Sequence, residues 1–366
     1  MADPRQQKLA KVLVHYSLRL KPGDTFVISS SEVAAPLVRE VYREALAAGA
    51  FVTVNTSLDG IREILLRAGN DEQLAYISDI DNLAVDHYDV SLDIWAEQNT
   101  RAMSGVDPQR MALRRAARAP LFKRSLKRLA QGETRWCGTL FPTQAHAQDA
   151  GMSLSDYENF VYGAGKLDLD DPVAAWQAVR AEQQRIADFL EQHNEIHIVA
   201  PGTDITYRAG GRKWINCAGT ENFPDGEVFS GPIEDSVNGT VLFSYPAVYD
   251  GNEVEDVRLT FHAGRVIEAS AGRGLDFLNA MLDSDAGART LGEAAFGLNY
   301  DIQRFSKETL FDEKIGGTMH MALGASLPES GGVNESGLHW DMVCDLREGQ
   351  VYADGQLCYE AGRFTV

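Results

Sequence analysis

The chain has 366 residues, 44% of them hydrophobic and 24% charged, the composition of a globular protein with room for two or three compact units. Its formal net charge of −19 argues against nucleic acid or an anionic membrane as partner, since both require a cationic face that displaces counterions. No apolar run reaches the roughly eighteen residues of a membrane-spanning helix, and the opening "MADPRQQKLAKVLVHYS" lacks a secretion signal's apolar core, so a cytoplasmic location is expected.

The first half alternates strands with helices. "DTFVISS" reads as a strand, "APLVREVYREALAAGA" as an amphipathic helix stopping at Gly49, and "FVTVNT" as a second strand. "ISDI" and "DVSLDIWA" are weaker strand candidates, and "TRWCGTLFP" is another. Between them lies the one basic tract, Arg110 to Arg128, a helical pattern that Pro120 should break and whose arginines suit a solvated face. Ser155 and Glu158 have the spacing of a capping box, and "DPVAAWQAVRAEQQRIADFLEQH" is a long helix. Such alternation implies right-handed crossovers and a mostly parallel sheet, an α/β N-terminal domain over residues 1–193. No GxGxxG follows the first strand and no GxxxxGK[ST] occurs, so a phosphate cradle is not supported.

After His193 the texture becomes strand-like: "EIHIVA", "DITYRA", "TVLFSYPAVYD", "VEDVRLTF" and "RVIEASAG". "FHAGRV" has the form of a hairpin turn with Gly264 at positive φ. Residues 194–366 are therefore expected to form a β-rich α+β C-terminal domain. The four cysteines, Cys137, Cys217, Cys344 and Cys358, form no CxxC pair and suit reduced thiols.

The chemistry concentrates in this second half. If "HWDMVCDL" is a strand, His339 and Asp341 share one face, while Trp340, Met342 and Cys344 line an apolar other face. An imidazole and a carboxylate placed so converge on one cation of the zinc, cobalt, manganese or iron(II) class. His320 lies between Met319 and Met321, which an extended segment would turn away from it. Glu227 in "PDGEVFSGP" and Glu293 in "TLGEAAFGLN" are single acids in small or apolar surroundings, costly to bury unless paired or bound to a cation. Alone, each of these residues has an ordinary reading as a surface or core side chain. Together, two glutamates, two histidines and an aspartate would supply a mixed N/O shell for two divalent ions that share a nucleophilic water.

The segments "GRKWINCAGTENFPDGEVFSGPIEDSVNG", "FSYPAVYDGNEVEDVRLTF", "LGEAAFGLNYDIQRF", "LFDEKIGGTMHMALG" and "HWDMVCDLR" resemble the thermophilic metalloaminopeptidase family M29. The match runs in order through nearly all of the second half and is looser in the first. The resemblance implies an α/β N-terminal domain, a C-terminal domain carrying two ions such as zinc or cobalt, and a homodimer. The activity it implies is removal of N-terminal residues from short peptides. It places the metal ligands on Glu227, Glu293, His320, His339 and Asp341, with Glu227 and Glu293 the candidates for general base. One position departs: where the family pattern "HxALGxxYPE" has tyrosine, this chain has Leu327 in "HMALGASLPE". Two alternatives stand beside the peptidase. One is a mononuclear iron(II) ring-cleaving dioxygenase of the dihydroxypyridine type, using His320, His339 and Asp341 as a facial triad. The other is a catalytically weak metal- or peptide-binding relative.

Overall fold

The computed structural model describes residues 3–249 and 251–366. They divide into two compact units, Met1–Val173 with Gly219–Phe223, and Ala174–Ala218 with Pro224–Val366.

The first unit is built on a five-stranded sheet. The strands Phe51–Ser57, Thr25–Ser31, Val90–Trp95, Arg135–Leu140 and Asn222–Phe223 follow in that spatial order, every pair parallel. Phe26, Ile28, Val90 and Leu92 alternate into the core and are fully buried. The helix Ala35–Ala47 turns Leu37, Val38, Val41 and Ala45 inward, the stripe expected of its 3.6-residue period.

Three local expectations are corrected here. "ISDI" is not a strand: Ser78 N-caps the helix Asp79–His87 in a reciprocal box with Asp81. The capping serine before "DYENF" is Ser153, whose Oγ accepts from the Asp156 backbone at 3.1 Å. Ser155 already lies inside that helix, because two serines two apart each precede an acid by three residues and spacing alone does not choose between them.

Pro120, third, does not break the basic helix, which runs unbroken over Pro108–Ala130. The proline forfeits one backbone hydrogen bond, and arginines on both sides of it hold the helix against its neighbours. Arg110 donates to the carbonyls of Leu66 and Gly69, Arg114 to Leu74 and Tyr76, and Arg128 to Val85 and Tyr88. These oxygens lie at the C-terminal ends of Ile61–Ala68, Asp71–Ala75 and Asp79–His87, where helices leave acceptors unsatisfied. The positive tract caps three helices and is not a bare solvated face.

The second unit packs two antiparallel sheets around one core. An eight-stranded sheet contributes Ile196, Ile198, Val241, Leu259 and Val351 to it. A five-stranded sheet contributes Val228, Phe296, Met319, Met321, Trp340 and Met342. The expected strand 240–250 is divided into Asn238–Phe243 and Ala247–Tyr249, with Pro246, which has no N–H to give a ladder, at the break. Its last residue, Asp250, lies outside the described residues. The turn of "FHAGRV" has Gly264 at φ +80°, with no space for a Cβ beside the Glu234 carbonyl. None of the four cysteines is joined in a disulfide. No helix among the described residues is long and apolar enough to cross a membrane.

Candidate metal centre

The five-stranded sheet of the second unit runs His339–Asp345, Thr318–Gly324, Leu291–Gly297, Glu227–Ser230, Ile215–Cys217. One face is the apolar core. The other gathers all five residues expected as ligands, and cross-strand register shows how they find room. Gly324 stands opposite His339, Ala322 opposite Asp341, Ala295 opposite His320, and Gly297 opposite Glu227. Each polar group thus faces a glycine or alanine across a ladder, which leaves a recess between the functional side chains.

Glu293 reaches this face through a bulge. The register shifts between Leu291, paired with Leu323 on the core side, and Glu293, paired with Ala322. Strict alternation would put Leu291 and Glu293 on the same face. The extra residue is Gly292, where a Cβ would stand 2.3 Å from the Ala325 carbonyl oxygen.

Glu293 lies between the two histidines and offers one oxygen to each. Oε1 is 3.6 Å from His320 Nε2, and Oε2 is 3.4 Å from His339 Nε2. His320 Nε2 is also 3.5 Å from Glu227 Oε2, and His339 Nε2 is 3.6 Å from Asp341 Oδ1. Both rings are fixed from behind. His320 Nδ1 lies 3.1 Å from the Glu313 carbonyl oxygen and His339 Nδ1 lies 2.9 Å from that of Ala325. A carbonyl only accepts, so each Nδ1 carries the hydrogen and donates it, leaving Nε2 aimed at the carboxylates.

Two further residues complete the cluster, and sequence reasoning missed both. Glu313 follows the four-residue helix Thr309–Asp312, and with Glu227 and His320 it forms a group whose ligand atoms all lie within 4.8 Å of one another. Glu293, His339 and Asp341 form a second such group. Lys314, only 1% exposed, donates to Glu313 Oε2 at 2.7 Å and lies 3.0 Å from Glu227 Oε2. The available signal was "FDEKIGG", in which two acids and a lysine fall between apolar residues ahead of a glycine pair.

The centre demands positive charge. Burial works against the imidazolium of His320, yet Glu293 and Glu227 raise its pKa to about 9. For His339, burial is likewise outweighed, by Asp341 and Glu293, and the value reaches about 10. Burial raises the Glu227 carboxyl, and its Oε2 accepts no well-directed hydrogen bond. Four carboxylates and two imidazoles oriented by backbone carbonyls are a donor set that suits a divalent cation. The group of Glu227 and His320 is deeply buried. His339 is 32% exposed and forms the rim.

Leu327 is half-buried and precedes the turn Pro328–Ser330, where its carbonyl accepts from Ser330 N and Oγ. Tyr245, Tyr249 and Tyr300, the tyrosines that flank these segments, make the following contacts. Tyr300 Oη donates to the Gly362 carbonyl, Tyr245 Oη accepts from Arg347, and Tyr249 packs against Trp340 on the core side.

A parallel-sheet α/β unit joined to a β-sandwich unit that carries this donor set defines a protein with a candidate divalent-metal centre. The chain matches the model for the thermophilic metalloprotease family M29 over residues 2–364, and it belongs to that family. It is 30% identical to "Aminopeptidase 2" of Geobacillus stearothermophilus over 403 aligned residues, covering 95% of this chain and 94% of that protein. The solved structure of wild-type AmpT from Thermus thermophilus superposes with a TM-score of 0.87 at 25% identity, covering 99% of both chains. The 2,5-dihydroxypyridine dioxygenase of Pseudomonas putida superposes with a TM-score of 0.59 at 15% identity, covering 99% of this chain and 97% of that one; this is a likeness of fold alone.

Proposed function

We propose that this protein is a cytoplasmic, homodimeric aminopeptidase that removes N-terminal residues from short peptides with two divalent ions, zinc, cobalt or similar. The observation that carries the reading is the placement of Glu293. Glu227, Glu313 and His320 would hold one ion and His339 and Asp341 the other, with Glu293 presenting an oxygen to each group. When bound, the ions supply an activated water and Lewis-acid polarisation of the peptide carbonyl. The chain's own residues do the rest. Glu227 and Glu293 are the two candidates to accept the proton of the attacking water, each a carboxylate beside the ligand groups. The His320 and His339 rings are locked by backbone carbonyls, so the donor atoms need little rearrangement. The rim at His339 and Asp341 is the open side, from which a peptide would enter.

Glu227, Glu293 and Glu313 form a carboxylate-rich cluster, more than a two-histidine, one-carboxylate iron centre requires, and this favours the peptidase over the dioxygenase. Exposed apolar side chains on the first unit, among them Phe51, Ile64 and Ile80, support burial against a second copy. The test uses an unblocked peptide and its N-acetylated counterpart, with cobalt- or zinc-loaded protein and with chelator. Release of the first residue from the unblocked peptide alone, abolished by chelator, is the expected result; no release with any metal refutes the assignment. Sedimentation of the same preparation reports the dimer.

A further inference from the structure

Lys314 has no part in the hydrolysis outlined above, yet it is buried within one of the two ligand groups. Its ammonium contacts Glu313 and Glu227 at 2.7 and 3.0 Å. The position is built rather than incidental. Lys314 N donates to the Phe311 carbonyl, the Lys314 carbonyl accepts from Asn299 N, and Asn299 Nδ2 donates to the Asp225 carbonyl. In the other group, Glu293 pairs with His339 and His320, and Asp341 with His339, with no lysine or arginine among their ion-pair partners in the described residues.

The two groups therefore differ in that one of them holds an ammonium. Once His320 and His339 have given up their protons, Asp341 and the Glu293 oxygen turned toward His339 face an incoming ion with no ammonium in contact among the described residues. Glu227 and Glu313 face it as two carboxylates already sharing an ammonium. Resting on the two-ion reading, we propose that Lys314 makes the two metal positions unequal. The ion at Glu293, His339 and Asp341 binds first and tightly, and the ion at Glu227, Glu313 and His320 binds second and weakly. Lys314 also keeps Glu227 and Glu313 paired when the second ion leaves, since a buried carboxylate stripped of every partner is strongly destabilising. The second ion is then an exchangeable one, and activity follows the free metal concentration.

The experiment is calorimetric titration of the metal-free full-length protein with zinc, with bound metal counted by mass spectrometry. Wild type should show two binding events whose Kd values differ by about tenfold or more, because a unit charge a few ångström from the ion has at least that effect. Lys314→Met should tighten the second event by about tenfold and leave the first nearly unmoved, whereas Lys314→Arg, which keeps the charge, should retain a weak second event. Two wild-type events of equal Kd, or a second Kd unmoved by Lys314→Met, overturn the role of the lysine and leave the two-ion reading standing. One ion in wild type and two in Lys314→Met support the lysine and revise the count. One ion or none in both proteins overturns both readings. If Lys314→Met does not fold, Asp341→Asn and Glu313→Gln decide. Loss of the tight event in the first and of the weak event in the second supports the proposal, and the reverse assignment overturns it.

Discussion

Gly324 stands opposite His339 across a strand ladder, and its bare Cα lets the two strands close there. Its φ is +100°, and a Cβ would lie 2.2 Å from the Leu338 carbonyl oxygen, next to the histidine it faces. Gly324→Ala should therefore cost about 2 kcal/mol or more in stability and displace the His339 ring. The check is chemical unfolding together with zinc affinity. Gly163→Ala, where a Cβ meets nothing within 4 Å, serves as the control and should be neutral or slightly stabilising. Equal effects from the two substitutions would contradict this picture of the strand pair.

Glu293→Gln keeps the shape of the side chain but removes the charge both histidines face. It should lower kcat/KM for peptide hydrolysis by about a hundredfold or more, and reduce metal affinity alongside. The bulge at Gly292 is what aims Glu293, so Gly292→Ala should reproduce part of the loss without touching a ligand. Wild-type activity in Glu293→Gln would remove Glu293 from the centre.

Leu327→Tyr restores the phenol of the family pattern. A hydroxyl that donates to a developing oxyanion is typically worth about 2.7–4 kcal/mol, so kcat should rise by about tenfold or more with little change in metal content. Steady-state kinetics on one peptide series checks this. An unchanged kcat would mean that another donor already serves the reaction.

Asp93 lies in the parallel sheet and accepts a hydrogen bond from Trp136 Nε1 at 2.6 Å. Burial raises its carboxyl above the usual carboxylate range, with Trp136 and Ser29 opposing the rise. The folded state then holds this proton more tightly than the unfolded state. The associated stability is fully present below about pH 4 and is lost as pH rises through the raised value. Asp93→Asn keeps the acceptor and deletes the charge. Its melting temperature should exceed wild type by a few degrees near about pH 8, with no difference below about pH 3.5. Equal shifts at both pH values would contradict the assignment.

The sequence made the His339 strand legible because alternation along "HWDMVCD" separates ligands from core without ambiguity, and the observed burial follows it. Glu227 and Glu293 stood out as lone acids among small and apolar residues, and both are buried in the site. Glu313 was not legible for a physical reason. It follows a four-residue helix, where no period decides which way a side chain points, and the next residue, Lys314, is held through its carbonyl by Asn299 N from another part of the chain. The bulge before Glu293 was hidden likewise, since Gly292 reads as an ordinary strand residue until the Ala325 carbonyl is placed beside it. Local sequence misjudged Pro120 as well. The cost of one lost hydrogen bond was visible, but the acceptors for Arg110, Arg114 and Arg128 lie about forty residues away.

In the proposed function two ions meet at Glu293. Anomalous diffraction from crystals grown with cobalt and measured at its absorption edge tests it most directly. Two peaks per chain are expected, one bounded by Glu227, Glu313 and His320 and the other by His339 and Asp341, with Glu293 touching both. A single peak held by His320, His339 and Asp341 alone would contradict it.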